Sequence, residues 1–469
     1  MSEAAIVHAP TATARRDLGV SADAFPLGAV QLLPGPFQDN TSHTHARLRF
    51  LDPDRLLHTF RRNVGLPSEV VPCGGWEAPA SELRGHSTGH VLTALAQAFA
   101  TTGDLAFSVR AHYLVEQLAL CQDRARIAGY STGYLSAFPE GFIGRVEARE
   151  PVRAPYYTLH KIMAGLLDVH LLVGGTRALT VLTRMAAWLG WRVGRLSATH
   201  RQNVLATEFG GMNEVLANLY QVTGDPAHLT TARYFDHAEV FDPLARGGDA
   251  LDGHHAHTQI PKALGAIRVY HATGETRYRD IAANLWKIVA ELPGDTCQCD
   301  TYNLLKLTRQ LFRTDPGQTR YFDHYEKALH HLLGGISTYG NGYDDFTCCH
   351  GTGIETSTKY GDSIYFHAGN VLYVNLFVPS VLHWAGRGVW VRQDTTFPES
   401  AGTRLTITGS GWIDLRVRVP SRAAGAVLRV NGVAEKPVIP GTYARVDRHW
   451  VSGDVVDLSP ETLHDEQLE

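Results

Sequence analysis

Up to about Tyr365 the apolar residues recur at helical spacing. Ile162, Met163, Leu166, Leu167 and Val169 share one helical face, and Leu304, Leu305, Leu307, Leu311 and Phe312 share another. Glycine-containing turns punctuate these stretches: Thr102-Gly103-Asp104, Gly174-Gly175-Thr176, Thr223-Gly224-Asp225, Thr273-Gly274-Glu275 and the related Asp315-Pro316-Gly317. Glycine closes one helix in the left-handed conformation, and the Asp or Thr after it can cap the next. Aromatic residues return after several turns, at Tyr234-Phe235, Tyr278 and Tyr321-Phe322. The pattern predicts long helical hairpins, and several of them closing a ring would form an α/α toroid with loops and helix starts around its cavity.

Beyond Tyr365 the period changes. Val371–Val378, Arg404–Thr408, Asp414–Val419 and Val427–Val430 are β-rich, Leu415, Val417 and Val419 alternate, and Asn431-Gly432 signals a hairpin. The expected organisation is mainly α: a flexible leader over residues 1–25, a helical barrel over 26–365, a C-terminal β-sandwich over 366–460 and a polar tail over 461–469.

Composition narrows the class. The chain has 469 residues, 44% hydrophobic and 19% charged, which fits a globular protein and not a disordered one. A net charge of -4 gives no electrostatic reason to bind nucleic acid or an anionic membrane. No apolar run is long enough to span a bilayer. The N-terminus has no apolar signal region, and Asp17 and Asp23 interrupt the stretch after Arg15-Arg16, so a cytoplasmic location is expected.

The cysteines carry the strongest chemical signal. Cys297-Gln298-Cys299 and Cys348-Cys349 place four sulfurs on two short segments, whereas Cys73 and Cys121 stand alone and suit a buried apolar role. Four thiolates can enclose a tetrahedral Zn2+, either as a closed staple or with one sulfur acting as a nucleophile; an iron–sulfur cluster is a third arrangement. His86-Ser-Thr-Gly-His90, His254-His255-Ala-His257 and His160 sit near predicted helix starts. With Trp76-Glu77, Tyr156-Tyr157 and Tyr302 they suit a sugar pocket, where aromatic faces meet rings and polar groups take hydroxyls.

Seven motifs in order resemble the β-L-arabinofuranosidase family of glycoside hydrolases, family 127 and its relatives. They are Gly74-Gly75-Trp76-Glu77, Arg84-Gly-His86-Ser-Thr-Gly-His90, Tyr156-Tyr157-Thr-Leu-His160-Lys161, Phe209-Gly-Gly-Met-Asn213-Glu214, His255-Ala-His257-Thr-Gln259-Ile-Pro261, Thr301-Tyr302-Asn303-Leu-Leu-Lys306 and Cys348-Cys349-His-Gly-Thr-Gly353. The resemblance spans roughly residues 27–458 and implies an (α/α)6 barrel followed by a β-sandwich. It implies a zinc ion held by three cysteines and a glutamate, a cysteine nucleophile and a retaining mechanism with a glutamate acid/base. Carried over by motif, Cys348 is the nucleophile, and Cys299, Cys348 and Cys349 hold the metal. Trp76, His86, His90, His160, Glu214, His255, Gln259 and Tyr302 are expected at the substrate, a small glycoside. Family members often form homodimers, although no surface in this sequence marks one.

Two departures matter. Cys297 stands where the family has its metal-binding glutamate, which makes it the fourth expected ligand. The segment that carries the family's acid/base glutamate is shortened, and no residue matches that glutamate. Glu291, Asp295, Asp344 and Asp345 lie close enough in sequence to be considered as substitutes. The leading expectation is a zinc–cysteine retaining glycosidase. The alternatives on the same scaffold are a non-hydrolytic sugar-tailoring enzyme and an inactive zinc-stabilised sugar-binding protein.

Overall fold

The computed structural model describes residues 13–249, 251–254, 256–291, 297–334, 344–399, 402–434 and 438–459. These residues form two compact units. One takes the chain to Gly19, His43–Gln310 and the stretch ending at Thr358; the other takes Val20–Ser42, Leu311–Gly334 and the chain from Lys359. Together they are an (α/α)6 barrel and a β-sandwich.

In the helical unit the inner layer contains His86–Thr102, Pro155–Asp168, Met212–Thr223, Ala256–Thr273, Gln298–Thr314 (as far as Gln310) and Cys348–Ser357. The Cys348 helix packs on the His86 helix, that one on the Pro155 helix, then the Met212 helix, then the Ala256 helix. The His86 helix is buried all round from His86 to Ala100, as a helix in the inner layer must be. Its outer partner Leu105–Arg124 buries only a stripe that includes Phe107, Ala111, Leu114, Val115 and Leu118. The turn between them matches the sequence signal. Gly103 closes the first helix at φ 71°, and the Asp104 carboxylate accepts the Ala106 N–H at 2.9 Å. Glycine also sets the inner spacing: a Cβ on Gly89 would run into the carbonyl of Lys161, so the His86 and Pro155 helices meet backbone to backbone.

The strand-rich unit holds two sheets. One has the order Asp23–Ala24, Tyr365–Ala368, Val371–Val374, Gly411–Val419, Thr442–Trp450; only its Val371–Val374 pairing with Gly411–Val419 is parallel. The other is antiparallel, ordered Val433–Ala434, Val427–Val430, Val455–Ser459, Thr403–Thr408, Val389–Asp394, Ser380–Trp384, Val30–Leu32. Asn431-Gly432 makes the expected two-residue turn, with φ 52° and 80° and Val430 opposite Val433. The Arg320–Gly334 helix belongs to this unit. Buried Arg418 reaches Asp323 at 2.5 Å and Glu326 at 2.7 Å on that helix.

The expected boundaries change accordingly. Residues 20–42 and 311–334 group with the strands and not with the barrel, because their strands and their buried ion pair are completed there. The expected flexible leader is corrected over residues 13–25. Ala14 N–H bonds to Val222 O at 3.2 Å, Leu18 N–H to His271 O at 2.7 Å, and Asp17 pairs with Arg268 at 2.8 Å. Asp23–Ala24 is a strand, paired with His367 and Phe366. Residues 1–12 and the polar tail 461–469 lie outside the described residues.

Candidate active site

The site is assembled from the first turns of inner helices. On the Gln298 helix, Cys299, Tyr302 and Lys306 stand at i, i+3 and i+7, and so share a face; on the Cys348 helix, Cys348, Thr352 and Glu355 stand at i, i+4 and i+7 and share one too. A short parallel strand pair delivers the second cysteine segment. Gly74 and Gly75 pair with Asp345 and Phe346, and the Trp76 N–H donates to Phe346 O at 2.6 Å. Thr347 then starts the helix, its N–H donating to His350 Nδ1 at 3.1 Å.

Three sulfurs meet where the two helices begin. Cys299 Sγ lies 3.6 Å from Cys349 Sγ, Cys349 Sγ lies 3.8 Å from Cys348 Sγ, and all three lie within 4.8 Å of one another. Zn–S bonds of about 2.3 Å give a tetrahedron with sulfur–sulfur edges of about 3.8 Å, so the donor set fits such an ion. Hydrogen bonds from Cys299 and Cys349 hold the Cys348 thiol low, while contacts with Cys297, Cys348 and Cys349 push Cys299 up. Cys299 is fully buried, Cys348 and Cys349 are half-buried, and Cys297 is exposed. Cys297 borders Cys299 and Cys349 but is not one of the three.

Aromatic rings build a wall. Trp76 meets His86 edge-on at 5.0 Å, His86 stacks on Tyr157 at 5.4 Å, and Tyr157 meets His160 at 5.0 Å. Gly211 sits against the His160 ring at φ 78°, where a side chain would collide with it. Burial lowers His160 well below the usual histidine range.

On the same helix faces as the cysteines lies a buried charged layer. Glu355 accepts from His90 Nδ1 and from the Tyr302 hydroxyl. Burial alone would raise the Glu355 carboxyl, but His90, Lys161 and Lys306 hold it far below the carboxylate range. Burial, with help from Lys161, lowers His90 to about 4, so its imidazole is neutral and Nδ1 carries the donated proton. Lys161 lies over the Tyr157 and Tyr302 rings at 5.5 and 5.9 Å. Lys306 pairs with Glu214 at 2.9 Å.

The expected residues divide clearly. Trp76, His86, His90, His160 and Tyr302 fall in one contact network, and Glu214 joins it through Lys306. Gln259 is buried with its amide on Thr258 Oγ1 at 3.2 Å, and no described contact ties it to the sulfurs. His255 lies outside the described residues. Glu77 has both oxygens committed, accepting the N–H groups of Gly85 and Ser87 at 2.7 and 2.6 Å. It thereby supplies the cap that Gly85 lacks at the His86 helix, and burial raises its carboxyl to about 7. Of the considered substitute carboxylates, Asp344 is paired with Arg55 at 2.9 Å, Asp345 lies in the strand pair beside Gly74, Glu291 is exposed, and Asp295 is outside the described residues. Sequence reasoning passed over Glu355. Its spacing of seven from Cys348 is a signal that could have found it.

The catalytic-domain model of the GH127 β-L-arabinofuranosidases matches residues 29–292, more than half of the chain, and the GH127 middle-domain model matches residues 371–461. The chain belongs to the GH127 family. It is thereby placed among the glycosidases, and the resemblance carried by the seven motifs is confirmed. Among solved structures, a GH127 β-arabinofuranosidase superposes with a TM-score of 0.74 at 16% identity, over 94% of this chain and 81% of that one. A GH127 β-L-arabinofuranosidase from Geobacillus stearothermophilus T6 gives 0.70 at 18% identity, over 92% of this chain and 81% of that one. A third, described as a glycoside hydrolase, gives 0.66 at 17%, over 94% and 78%. Comparison with curated proteins returns no match. Among the described residues, no helix of this GH127 chain is long and apolar enough to cross a membrane.

Proposed function

We propose that this GH127 chain is a retaining glycosidase that turns the Cys348 thiolate on the anomeric carbon of a β-L-arabinofuranoside or similar small glycoside. The observation that carries the reading is the gathering of Cys299, Cys348 and Cys349 within 4.8 Å at two inner helix starts. These three sulfurs would hold zinc, with Cys297, which borders two of them, as the fourth donor. Zinc, when bound, keeps such sulfurs deprotonated at neutral pH.

The chain's own residues do the rest. The Cys348 sulfur forms a bond to the anomeric carbon as the bond to the leaving oxygen breaks, and that oxygen departs as an anion that takes its proton from water. Water then replaces the sulfur, and two displacements at one carbon return the starting configuration. Half-buried Trp76 offers a ring face to the sugar, and His86, His90, Tyr157, His160, Glu214, His255, Gln259 and the Tyr302 ring complete the proposed pocket. The family's acid/base glutamate has no counterpart in the sequence and Asp344 is held by Arg55, which favours a substrate whose leaving group departs without much protonation.

The test compares an aryl β-L-arabinofuranoside with an arabinose disaccharide on zinc-loaded protein. Release from the aryl glycoside alone is the expected outcome, and Cys348→Ala should cut it by more than about 10³-fold. Release from both substrates would mean that another group supplies the acid. Release from neither would sink hydrolysis and leave a sugar-binding or non-hydrolytic role.

A further inference from the structure

We propose that Glu355 is a positioning residue, holding the Cys348 and Gln298 helices in the register that gathers Cys299, Cys348 and Cys349. The proposal deepens the metal–thiolate reading above. Glu355 lies seven residues after Cys348, and Tyr302 lies three after Cys299, so each stands on its cysteine's own helix face. One carboxylate oxygen takes the Tyr302 hydroxyl and the other takes His90 Nδ1–H. The His90 ring in turn lies flush on Gly351, where any side chain would collide with it. Three inner helices are therefore tied at one buried carboxylate, and Thr352, on the Glu355 face, reaches Cys299 Sγ at 3.9 Å.

The chemistry suits a register pin. Hydrogen bonds to an ionised carboxylate are short, directional and roughly twice as strong as neutral ones. Neither bond from Glu355 survives a slide of either cysteine helix along its axis, whereas apolar packing tolerates small slides. Lys161 and Lys306 keep the carboxylate charged, so the pin is present whether or not an ion is bound. Groups that orient metal ligands from behind typically change metal affinity by about 10–100-fold when removed.

The experiment uses the full chain with Co2+ as the probe, titrated against a competing chelator. The sulfur-to-cobalt charge-transfer band reads how many thiolates bind and in what geometry. Glu355→Gln should weaken Co2+ binding by about 10–100-fold and shift that band, with near-ultraviolet circular dichroism unchanged. Tyr302→Phe, which removes a single hydroxyl and spares the fold, should move both readouts the same way by less. The double variant should fall short of the sum, because both changes break one shared bond. Wild-type affinity and an unaltered band in Tyr302→Phe and Glu355→Gln would overturn the proposal; if Glu355→Gln does not fold, Tyr302→Phe decides alone.

Should the wild-type chain bind no Co2+, the metal reading fails separately. The register is then read in the metal-free chain through oxidised glutathione. Cys299 and Cys349 form a disulfide as one glutathione disulfide becomes two glutathione thiols. A lower disulfide fraction in Tyr302→Phe at equal glutathione poise supports the pin, and an equal fraction overturns it.

Discussion

Two buried glutamates show how differently the two units use charge. In the strand-rich unit, Glu326 is bound by Arg418 at 2.7 Å, which also holds Asp323, and Glu326 and Arg418 are both buried between the Arg320 helix and the Gly411–Val419 strand. In the helical unit, Glu355 takes a histidine and a tyrosine with two lysines nearby, on a face that leads to half-buried sulfurs. The first network closes on itself and fastens a helix to a sheet. The second leads to the three gathered sulfurs. What a buried charge does for the molecule thus depends on what its partners touch, since both networks must meet a desolvation cost.

Three measurements sharpen or break that contrast. The largest effect is expected from Glu326→Ala, which leaves buried Arg418 with one carboxylate fewer and should cost about 3–5 kcal/mol in denaturant unfolding. A cost near that of an exposed ion pair would mean that the network is not closed as described. A third buried charge is Lys262. Its ammonium nitrogen meets His237 Nδ1 at 3.0 Å and the Phe209 ring at 4.2 Å, and burial lowers it to about 7. The unfolded chain therefore holds one more proton than the folded chain between pH 7 and the usual lysine value of 10.5. Stability should climb with pH through that window, and Lys262→Met should flatten the climb. An identical pH dependence in the variant would show that Lys262 stays charged when buried.

The smallest effect belongs to an exposed charge. Asp104 pairs with Arg49 at 2.6 Å and caps the Leu105 helix. Asp104→Ala should cost about 1 kcal/mol through the lost cap, and Asp104→Asn, which keeps the cap, only about 0.5 kcal/mol or less. Equal losses in thermal unfolding would transfer the importance from the cap to the ion pair.

Much of the molecule could be read locally. A glycine in the left-handed conformation and a capping aspartate act within a few residues, so the turns at Gly103 and Gly224 were legible as they stand. The Asn431-Gly432 hairpin and the alternation of Leu415, Val417 and Val419 are equally local. The paired cysteines announced shared chemistry, and two of the pairs' four sulfurs belong to vicinal residues whose proximity is covalent.

The hidden part depends on distant partners. Val30–Leu32 is too short to carry a period and becomes a strand only against Ser380–Trp384. Arg418 looks like a surface residue on an alternating strand until Asp323 and Glu326 meet it from nearly a hundred residues away. Cys297 reads as an equal of Cys299, yet the helix start buries one and exposes the other. Glu355 shares a face with Cys348 in any helix, but its partners, Tyr302 and His90, lie on helices 53 and 265 residues off in sequence. Caps, turns and helical faces arise from short-range sterics and hydrogen bonds, which a sequence displays. Which charges are buried, and against which partners, is set by packing between remote segments, and only the folded chain decides that.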